Sequence, residues 1–251
     1  MAPHFNSASR VLAIFEKVAK QGGGQSAEQA WVNALGITAA AGVRRPLLVA
    51  EQVGKIIDEV ELVHEYMKGT LYNKDRFEPV FEKAYQALNT NNLQASWNNF
   101  QTHLSESTLL GFGFFSEMLP HEEDPIDSAE LEELAQQLQE LKQHVRESGL
   151  PAHVKAFLLQ QIRNLLDAIR DYPITGQKVF TEAFGRLSTN IAVNRELIRQ
   201  YNEEPEFQTN WQRLGDAWGK VRNRVETVQL LYSVYQHGQA LGEVIRPLLG
   251  G

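Results

Sequence analysis

One stretch near the C-terminus constrains the fold more than any other, because its bulky apolar residues recur at alternating steps of four and three. The side chains that follow this pattern are Phe207, Trp211, Leu214, Trp218, Val221, Val225, Val228, Tyr232 and Tyr235. On an α-helix this spacing places them all on one narrow stripe, whereas a strand or a loop would lose the period. The sequence therefore predicts a long C-terminal helix of heptad-like periodicity over residues 206–239.

Most of the remaining chain repeats its apolar residues with the same helical period, and no stretch alternates for long enough to predict a β-strand. Amphipathic segments of this kind cover residues 5–20, 46–67, 131–145 and 151–172. Each would bury one face against its neighbours. The predicted fold class is therefore all-α, a multi-helix bundle that includes the long C-terminal helix.

Glycine- and asparagine-rich stretches predict breaks between helices in the first half of the chain. Residues 111–115, Gly-Phe-Gly-Phe-Phe, are apolar but rich in glycine, so we predict a buried hinge or a strained loop there. The asparagines of residues 89–92 predict a turn that joins two antiparallel helices, over residues 77–88 and residues 93–104.

Proline predicts the breaks in the second half of the chain. Residues 171–173, Asp-Tyr-Pro, are expected to end the helix that starts at Pro151, because proline lacks the backbone N–H that a helix interior needs. Another helix is predicted over residues 175–198, and Pro205 marks the break before the C-terminal helix.

A cluster of acidic residues that contains two prolines divides the chain. Residues 117–127 carry both prolines and many carboxylates, so they are predicted to form a flexible acidic linker. This linker would join an N-terminal helical bundle of residues 1–116 to a C-terminal long-helix bundle of residues 128–251. The alternative is that the two halves form one domain.

The composition excludes several classes of protein. There is no cysteine, so disulfides, thiolate nucleophiles and cysteine-bound zinc are ruled out. Lys and Arg total 24 against 31 Asp and Glu, and the net charge of −7 repels phosphate, so no nucleic-acid partner is expected. No secretory leader and no long apolar run is visible, which predicts a cytoplasmic protein that does not enter a membrane. No residue pattern indicates a cofactor.

One acidic cluster offers ligands for a metal ion. Its members are His121, Glu122, Glu123, Asp124 and Asp127. Carboxylate oxygens and an imidazole are ligands that divalent cations accept, so the cluster would allow a metal-dependent hydrolase or nuclease. The competing interpretation is a solvated acidic linker, because the prolines around the cluster prevent the fixed spacing of a helix.

Other catalytic patterns are incomplete in this sequence. Glu61 and His64 form one Glu-x-x-His step, the spacing that di-iron carboxylate bundles use, but those sites need a second step that the chain lacks. Neither a Walker A loop nor a Gly-x-Ser-x-Gly elbow is present. These gaps favour a protein that is not an enzyme.

The C-terminal helix carries the residues from which an interaction is predicted. Gly215 and Gly219 stand four residues apart within it, and each costs about 1 kcal/mol of helix propensity relative to alanine, so a compensating close approach is expected. The predicted interaction residues share this helix: Trp211, Gly215, Trp218, Gly219, Val225, Tyr232 and Tyr235.

The first functional hypothesis is a non-enzymatic protein–protein interaction module, an adaptor or a regulatory subunit. It would bind a protein partner or a second copy of itself through the C-terminal helix. Besides the metal-dependent enzyme, a membrane-active helical effector is the other alternative, since an aromatic stripe with basic flanks can lie on a membrane surface.

A family resemblance is carried by the segment of residues 150–185. It begins Leu-Pro-Ala-His-Val-Lys-Ala-Phe-Leu-Leu, continues through Asp-Tyr-Pro-Ile-Thr-Gly at residues 171–176, and ends with Phe184 and Gly185. This segment resembles uncharacterised all-helical proteins of bacteria. The resemblance implies a bacterial origin and assigns no activity.

Overall fold

The computed structural model describes residues 4–37 and 44–225. These residues form α-helices and contain no β-strand, only an isolated bridge between Ser26 and Ser96. The helices are α1 (Ser7–Ala19), α2 (Ala27–Leu35), α3 (Arg44–Lys68), α4 (Lys74–Ala87), α5 (Asn98–Gln101), α6 (Glu106–Met118), α7 (Ser128–Glu147), α8 (Ala152–Thr175), α9 (Lys178–Val193), α10 (Arg195–Tyr201) and α11 (Pro205–Arg222). The all-α prediction is confirmed for this part of the chain. None of these helices is long and apolar enough to cross a membrane.

The chain divides into two compact units, which are described separately. The first unit contains residues 1–125 and 173–176, and the second contains residues 126–172 and 177–251. Residues 117 and 118 belong to α6, and a non-helical segment follows up to the start of α7. The three-part division predicted from the sequence stays a prediction.

Aromatic rings fill the core of the first unit. Phe15 of α1 meets Phe112 of α6 edge to face, with the ring centroids 5.2 Å apart. Phe81 of α4 stacks on Phe115 of α6 at 5.0 Å. Asn6 starts α1, because its side chain accepts a hydrogen bond from the backbone N–H of Ser9. The aromatic cluster therefore joins α1, α4 and α6 around one buried centre.

The second unit buries the stripe of α11 among the neighbouring helices. Trp211 stacks on Phe157 of α8 at 5.6 Å, and Trp218 meets Phe184 of α9 edge to face at 5.7 Å. Leucines at steps of three and four on α7 are also buried, and α7 packs against α11. A polar contact lies among these apolar ones, where Asn190 donates to Gln161 Oε1 at 3.1 Å.

The predicted hinge at residues 111–115 is wrong, because these residues lie inside α6. Phe112 and Phe115 are buried in the core, and this burial offsets the weak helix propensity of the two glycines. Gly111 has a packing role: a β-carbon there would lie 2.7 Å from Val80 Cγ1. The glycine lets α6 approach α4 closely.

The predicted antiparallel helix pair is also wrong, because residues 93–104 form only the short α5. Backbone carbonyls of this stretch instead serve the N-terminus of α2: the N–H groups of Ala27 and Glu28 donate to residues 95 and 93 at 2.9 and 2.8 Å. These distant bonds satisfy donors that a helix end leaves free. Local periodicity could not show them.

Pro173 does not break its helix, contrary to the prediction. α8 continues to Thr175 and ends before Gly176, which adopts a left-handed φ of 67°. Proline removes the backbone N–H that would bond to the carbonyl four residues earlier, and only Ile174 and Thr175 of α8 follow it. The single helix predicted over residues 175–198 is divided at Asn194 into α9 and α10.

The C-terminal helix is shorter in the described chain than predicted. α11 begins with Pro205 at its first turn and ends at Arg222, and residues 223–225 are not helical. Asn223 closes the helix with its N–H bonded to the Gly219 carbonyl at 3.1 Å. The unbroken helix predicted over residues 206–239 is therefore wrong at its middle. Residues 226–239 lie outside the described residues.

Candidate functional site

Four of the seven predicted interaction residues, Trp211, Gly215, Trp218 and Val225, are buried in the second unit. Trp211, Trp218 and Val225 are at most 3% exposed, and Gly215 is also buried. Tyr232 and Tyr235 lie outside the described residues. An anchoring role for these side chains stays a prediction. It would require a partner to reach residues that the second unit already covers.

Gly219 is half-buried and has open space beside it. Among the described residues outside its own stretch of helix, no atom lies within 4 Å of the β-carbon that an alanine would place there. Within the described residues, no neighbouring element approaches this glycine closely. The close approach predicted for Gly219 therefore has no counterpart among the described helices.

An open cleft of about 430 Å³ lies between the start of α7 and the end of α11. Its apolar side includes Leu131, Leu134 and Val221. Ion pairs cross its rim, with Lys220 Nζ 3.5 Å from Glu133 Oε1 and Arg224 paired to Glu130. The two carboxylates that line the cleft, Glu130 and Glu133, are therefore both paired with cations of α11 and of the residues that follow it.

The predicted metal ligands do not converge. His121 Nδ1 accepts a hydrogen bond from the backbone N–H of Phe5 at 3.1 Å, and its Nε2 lies 3.4 Å from Asp124. Asp127 caps α7 by accepting from the N–H of Ala129 at 2.8 Å. Across residues 4–37 and 44–225, no group of three His, Asp or Glu side chains is arranged to hold a metal ion.

The remaining two predicted ligands, Glu122 and Glu123, face a buried arginine. Arg10 of α1 is 3% exposed and its Nη1 lies 2.9 Å from Glu122 Oε2 and 3.9 Å from Glu123 Oε1. Its Nη2 donates to Glu59 Oε2 on α3 at 2.9 Å, and Glu59 is fully buried. The guanidinium therefore holds carboxylates from α3 and from the segment after α6. We refer to these four residues as the Arg10 cluster.

Two further hydrogen bonds complete the surroundings of the guanidinium. Arg10 Nε donates to the backbone carbonyl of Ile174 at 3.1 Å, and Nη2 donates to Ser7 Oγ at 3.1 Å. Burial alone would lower the pKa of Arg10, but the charges of Glu122 and Glu59 outweigh it and hold the pKa above its usual value. The arginine is therefore charged at every physiological pH.

In the other motif considered from the sequence, Glu61 and His64, the histidine packs against side chains of α4. The His64 ring stacks on Phe81 at 4.2 Å, and its Nε2 lies 2.9 Å from Glu78 Oε2. Its Nδ1 lies 3.4 Å from the Tyr85 hydroxyl. Glu61, the other residue of the motif, is exposed.

Sequence reasoning missed an exposed apolar surface on the first unit. Phe114 and Leu110, one turn apart on α6, are 52% and 66% exposed. The ring of Tyr72 meets Phe114 edge to face at 5.9 Å, and the neighbouring Leu71 is fully exposed. Tyr66 is 43% exposed and reaches the last turn of α6, where its hydroxyl donates to the Met118 carbonyl at 3.3 Å. Monomeric proteins rarely expose such groups of large apolar side chains to solvent.

This α6 surface consists of Tyr66, Leu71, Tyr72, Leu110 and Phe114. Among the described residues, the second unit exposes one comparable side chain, Val193. The sequence signal was present but hidden: on α6 the outward residues Leu110 and Phe114 are apolar like the inward ones. A helix that is apolar around most of its circumference indicates burial on more than one side.

Comparison with known proteins gives no relative. No protein-family model, no curated protein and no solved structure matches this chain.

Proposed function

We propose that this protein is a non-enzymatic protein–protein interaction module that binds a partner through the α6 surface. The observation that carries the proposal is the exposure of Phe114, at 52%, beside the equally exposed ring of Tyr72. Exposed aromatic and large aliphatic side chains grouped on one face are typical of binding surfaces, where aromatic residues supply much of the affinity.

The proposed interaction surface differs from the one that the sequence favours. Trp211 and Trp218 of α11 pack inside the second unit, whereas the residues of the α6 surface face solvent. A role of the C-terminal helix in binding a partner or a second copy remains a separate proposal. It would rest on residues 226–251, which lie outside the described residues.

The two alternatives of another class have less support. A metal-dependent hydrolase would need Glu122 and Glu123 to leave Arg10 before they could bind a cation. That alternative predicts a higher melting temperature with manganese or magnesium.

A membrane-active effector would present the α6 surface to lipid, but Glu106 and Glu117 flank it with negative charge. That alternative predicts flotation with anionic liposomes.

Site-specific photo-crosslinking tests the interaction proposal. A photoreactive side chain is placed at Phe114 in cells that produce the full chain, and the matched control carries it at Val193, which is 79% exposed in the second unit. We expect an adduct of defined mass from position 114 only, and its loss when Leu110→Glu is added. The captured protein is then purified, and its affinity for the wild type and for Leu110→Glu is measured.

The crosslinking result can contradict the proposal in two ways. Equal adducts from both positions would show that residue 114 has no special access to a partner. An unaltered affinity of the purified partner for Leu110→Glu would remove the α6 surface from the interaction, even if an adduct had formed.

A further inference from the structure

We infer that the partner of the α6 surface presents an amphipathic helix with basic residues along one edge of its apolar stripe. This inference rests on the proposed function and names the class of ligand. It follows from the shape of α6 and from the charges that border its exposed face.

The shape of the surface favours a helix over an extended peptide. Leu110 and Phe114 stand one turn apart and form a ridge along α6, about 6 Å from one residue to the next. Such an i, i+4 ridge fits the groove between the side chains of a second helix. An extended peptide that binds by adding a strand would need an exposed strand edge, and the described residues contain no strand.

The acidic residues of α6 lie along one edge of this ridge. Glu106 and Glu117 are exposed, and helical periodicity places both on the same side of the line through Leu110 and Phe114. They are eleven residues apart in sequence, which corresponds to about 16 Å along the helix. A partner helix would complement them with two cations separated by about three turns.

The opposite edge of the ridge has a different charge. Lys83 of α4 reaches Ser107 of α6, with Nζ 3.4 Å from Oγ. Helical periodicity places Ser107 across the ridge from Glu106 and Glu117. The partner's basic residues are therefore expected over the acidic edge, and neutral or acidic residues over the edge that faces α4.

Charge also disfavours a second copy of this chain packed antiparallel on the surface. In that arrangement Glu106 of one copy would lie opposite Glu117 of the other, along the whole acidic edge. Like charges opposite one another oppose association and reduce its rate. A basic helix from a different protein meets no such opposition.

Two synthetic helical peptides test the charge of the partner. Both carry the same apolar stripe, and one has two lysines eleven residues apart along one edge where the other has two glutamates. Fluorescence anisotropy with the full chain measures both affinities at low salt. We expect the lysine peptide to bind about threefold to tenfold tighter, the range set by two exposed ion pairs. The preference should vanish at high salt, where exposed charges are screened.

Charge reversal on the protein provides the matched comparison. The double variant Glu106→Lys, Glu117→Lys should invert the preference between the two peptides. The control Glu132→Lys, Glu140→Lys makes the same charge change at exposed positions of α7 and should leave the preference unchanged. Circular dichroism and melting temperature verify that each variant is folded.

Truncation of an anchor separates this inference from the proposed function. Phe114→Ala should lower the affinity for both peptides about tenfold or more, as expected for an aromatic anchor. If both peptides bind the wild type equally and both depend on Phe114, the charge inference is wrong and the proposed function stands. If neither peptide depends on Phe114, the docking site itself is wrong. A wild-type dimer that Phe114→Ala dissociates would identify a second copy as the occupant and overturn the inference.

Discussion

Gly176 lies against the guanidinium of Arg10 so closely that a β-carbon at this glycine would be 2.8 Å from Arg10 Nη1. The same β-carbon would lie 2.6 Å from Glu123 Oε1, and the glycine has a left-handed φ of 67°. Two separate requirements therefore meet at one residue: a backbone conformation that glycine adopts freely, and the absence of a side chain. The Arg10 cluster depends on both.

Gly176→Ala should destabilise the protein more than an ordinary glycine substitution at the end of a helix. The matched control is Gly36→Ala, because Gly36 has a φ of 65° and a glycine-to-alanine substitution there would bring its β-carbon within 4 Å of no described residue beyond its neighbours. The control should lose about 1 kcal/mol of unfolding free energy from backbone strain alone, and Gly176→Ala at least twice as much because the cluster must shift. Urea unfolding measures the unfolding free energy of both variants. Equal losses would show that the side chains of the Arg10 cluster move aside without a cost in stability.

Replacing only one member of the buried ion pair between Arg10 and Glu59 should destabilise the protein strongly. Glu59→Gln leaves the guanidinium with less compensating charge in the core, and Arg10→Met leaves Glu59 buried without its cation. We expect Arg10→Met to lower the unfolding free energy by about 3–5 kcal/mol. The double variant Arg10→Met, Glu59→Leu should recover part of this loss, because it removes both charges.

An exposed ion pair supplies the control for Arg10 and Glu59. Glu196 and Arg199 pair at 3.8 Å on the surface of α10, and Glu196→Gln should have little effect on chemical denaturation. A loss in Arg10→Met no larger than that of Glu196→Gln would contradict the view that the buried pair organises the first unit.

Alkaline pH should reduce stability partly through Tyr85. Burial raises the pKa of the Tyr85 hydroxyl, and the carboxylates of Glu61, Glu65 and Glu78 raise it further. The folded state thus holds the phenolic proton more tightly than the unfolded state. Its contribution to stability is complete below the unfolded pKa of about 10 and is lost as the pH rises through the folded pKa.

Tyr85→Phe tests this linkage, since phenylalanine cannot ionise. Melting temperatures of the wild type and the variant are compared between about pH 8 and 11. The wild type should lose stability more steeply than Tyr85→Phe above about pH 10. Parallel curves over the whole range would mean that the folded state does not retain the proton of Tyr85 more strongly.

Gly219→Ala separates a packing role from an interface role. Because no described atom lies near the added β-carbon, the substitution should raise the unfolding free energy by up to about 1 kcal/mol through helix propensity. Thermal unfolding and light scattering are measured together. A stabilised variant with an altered assembly state would indicate that Gly219 meets another chain, as the sequence suggested. A destabilised variant would contradict the open space found beside it.

The sequence predicted a helix correctly where the apolar periodicity of the segment was enough to determine its structure. The periodic leucines of α7 and the apolar stripe of α11 up to Val221 are buried as their spacing indicates. Predictions failed where a distant contact compensated for a poor local signal. Burial of Phe112 and Phe115 keeps α6 helical through its glycines, and α2 draws the backbone of residues 93–97 away from a helix.

The residues of the candidate sites were likewise only partly predicted from the sequence. The sequence identified Glu122 and Glu123 as unusual, but not Arg10, which precedes them by more than a hundred residues. A lone arginine in an amphipathic helix gives no signal that it will be buried. The α6 surface was missed for the opposite reason, because its exposed apolar residues follow the pattern of core residues.

The sequence by itself determined the all-helical class of the described chain, because helical periodicity is a local property of three or four neighbouring residues. Only the tertiary structure decided which apolar faces are covered and which charges are buried. Trp218 is enclosed and Phe114 is exposed although both are large aromatic side chains on helices. Arg10 finds its carboxylates only when α1, α3 and the segment after α6 come together. Burial depends on the neighbours that folding supplies, and periodicity does not encode them.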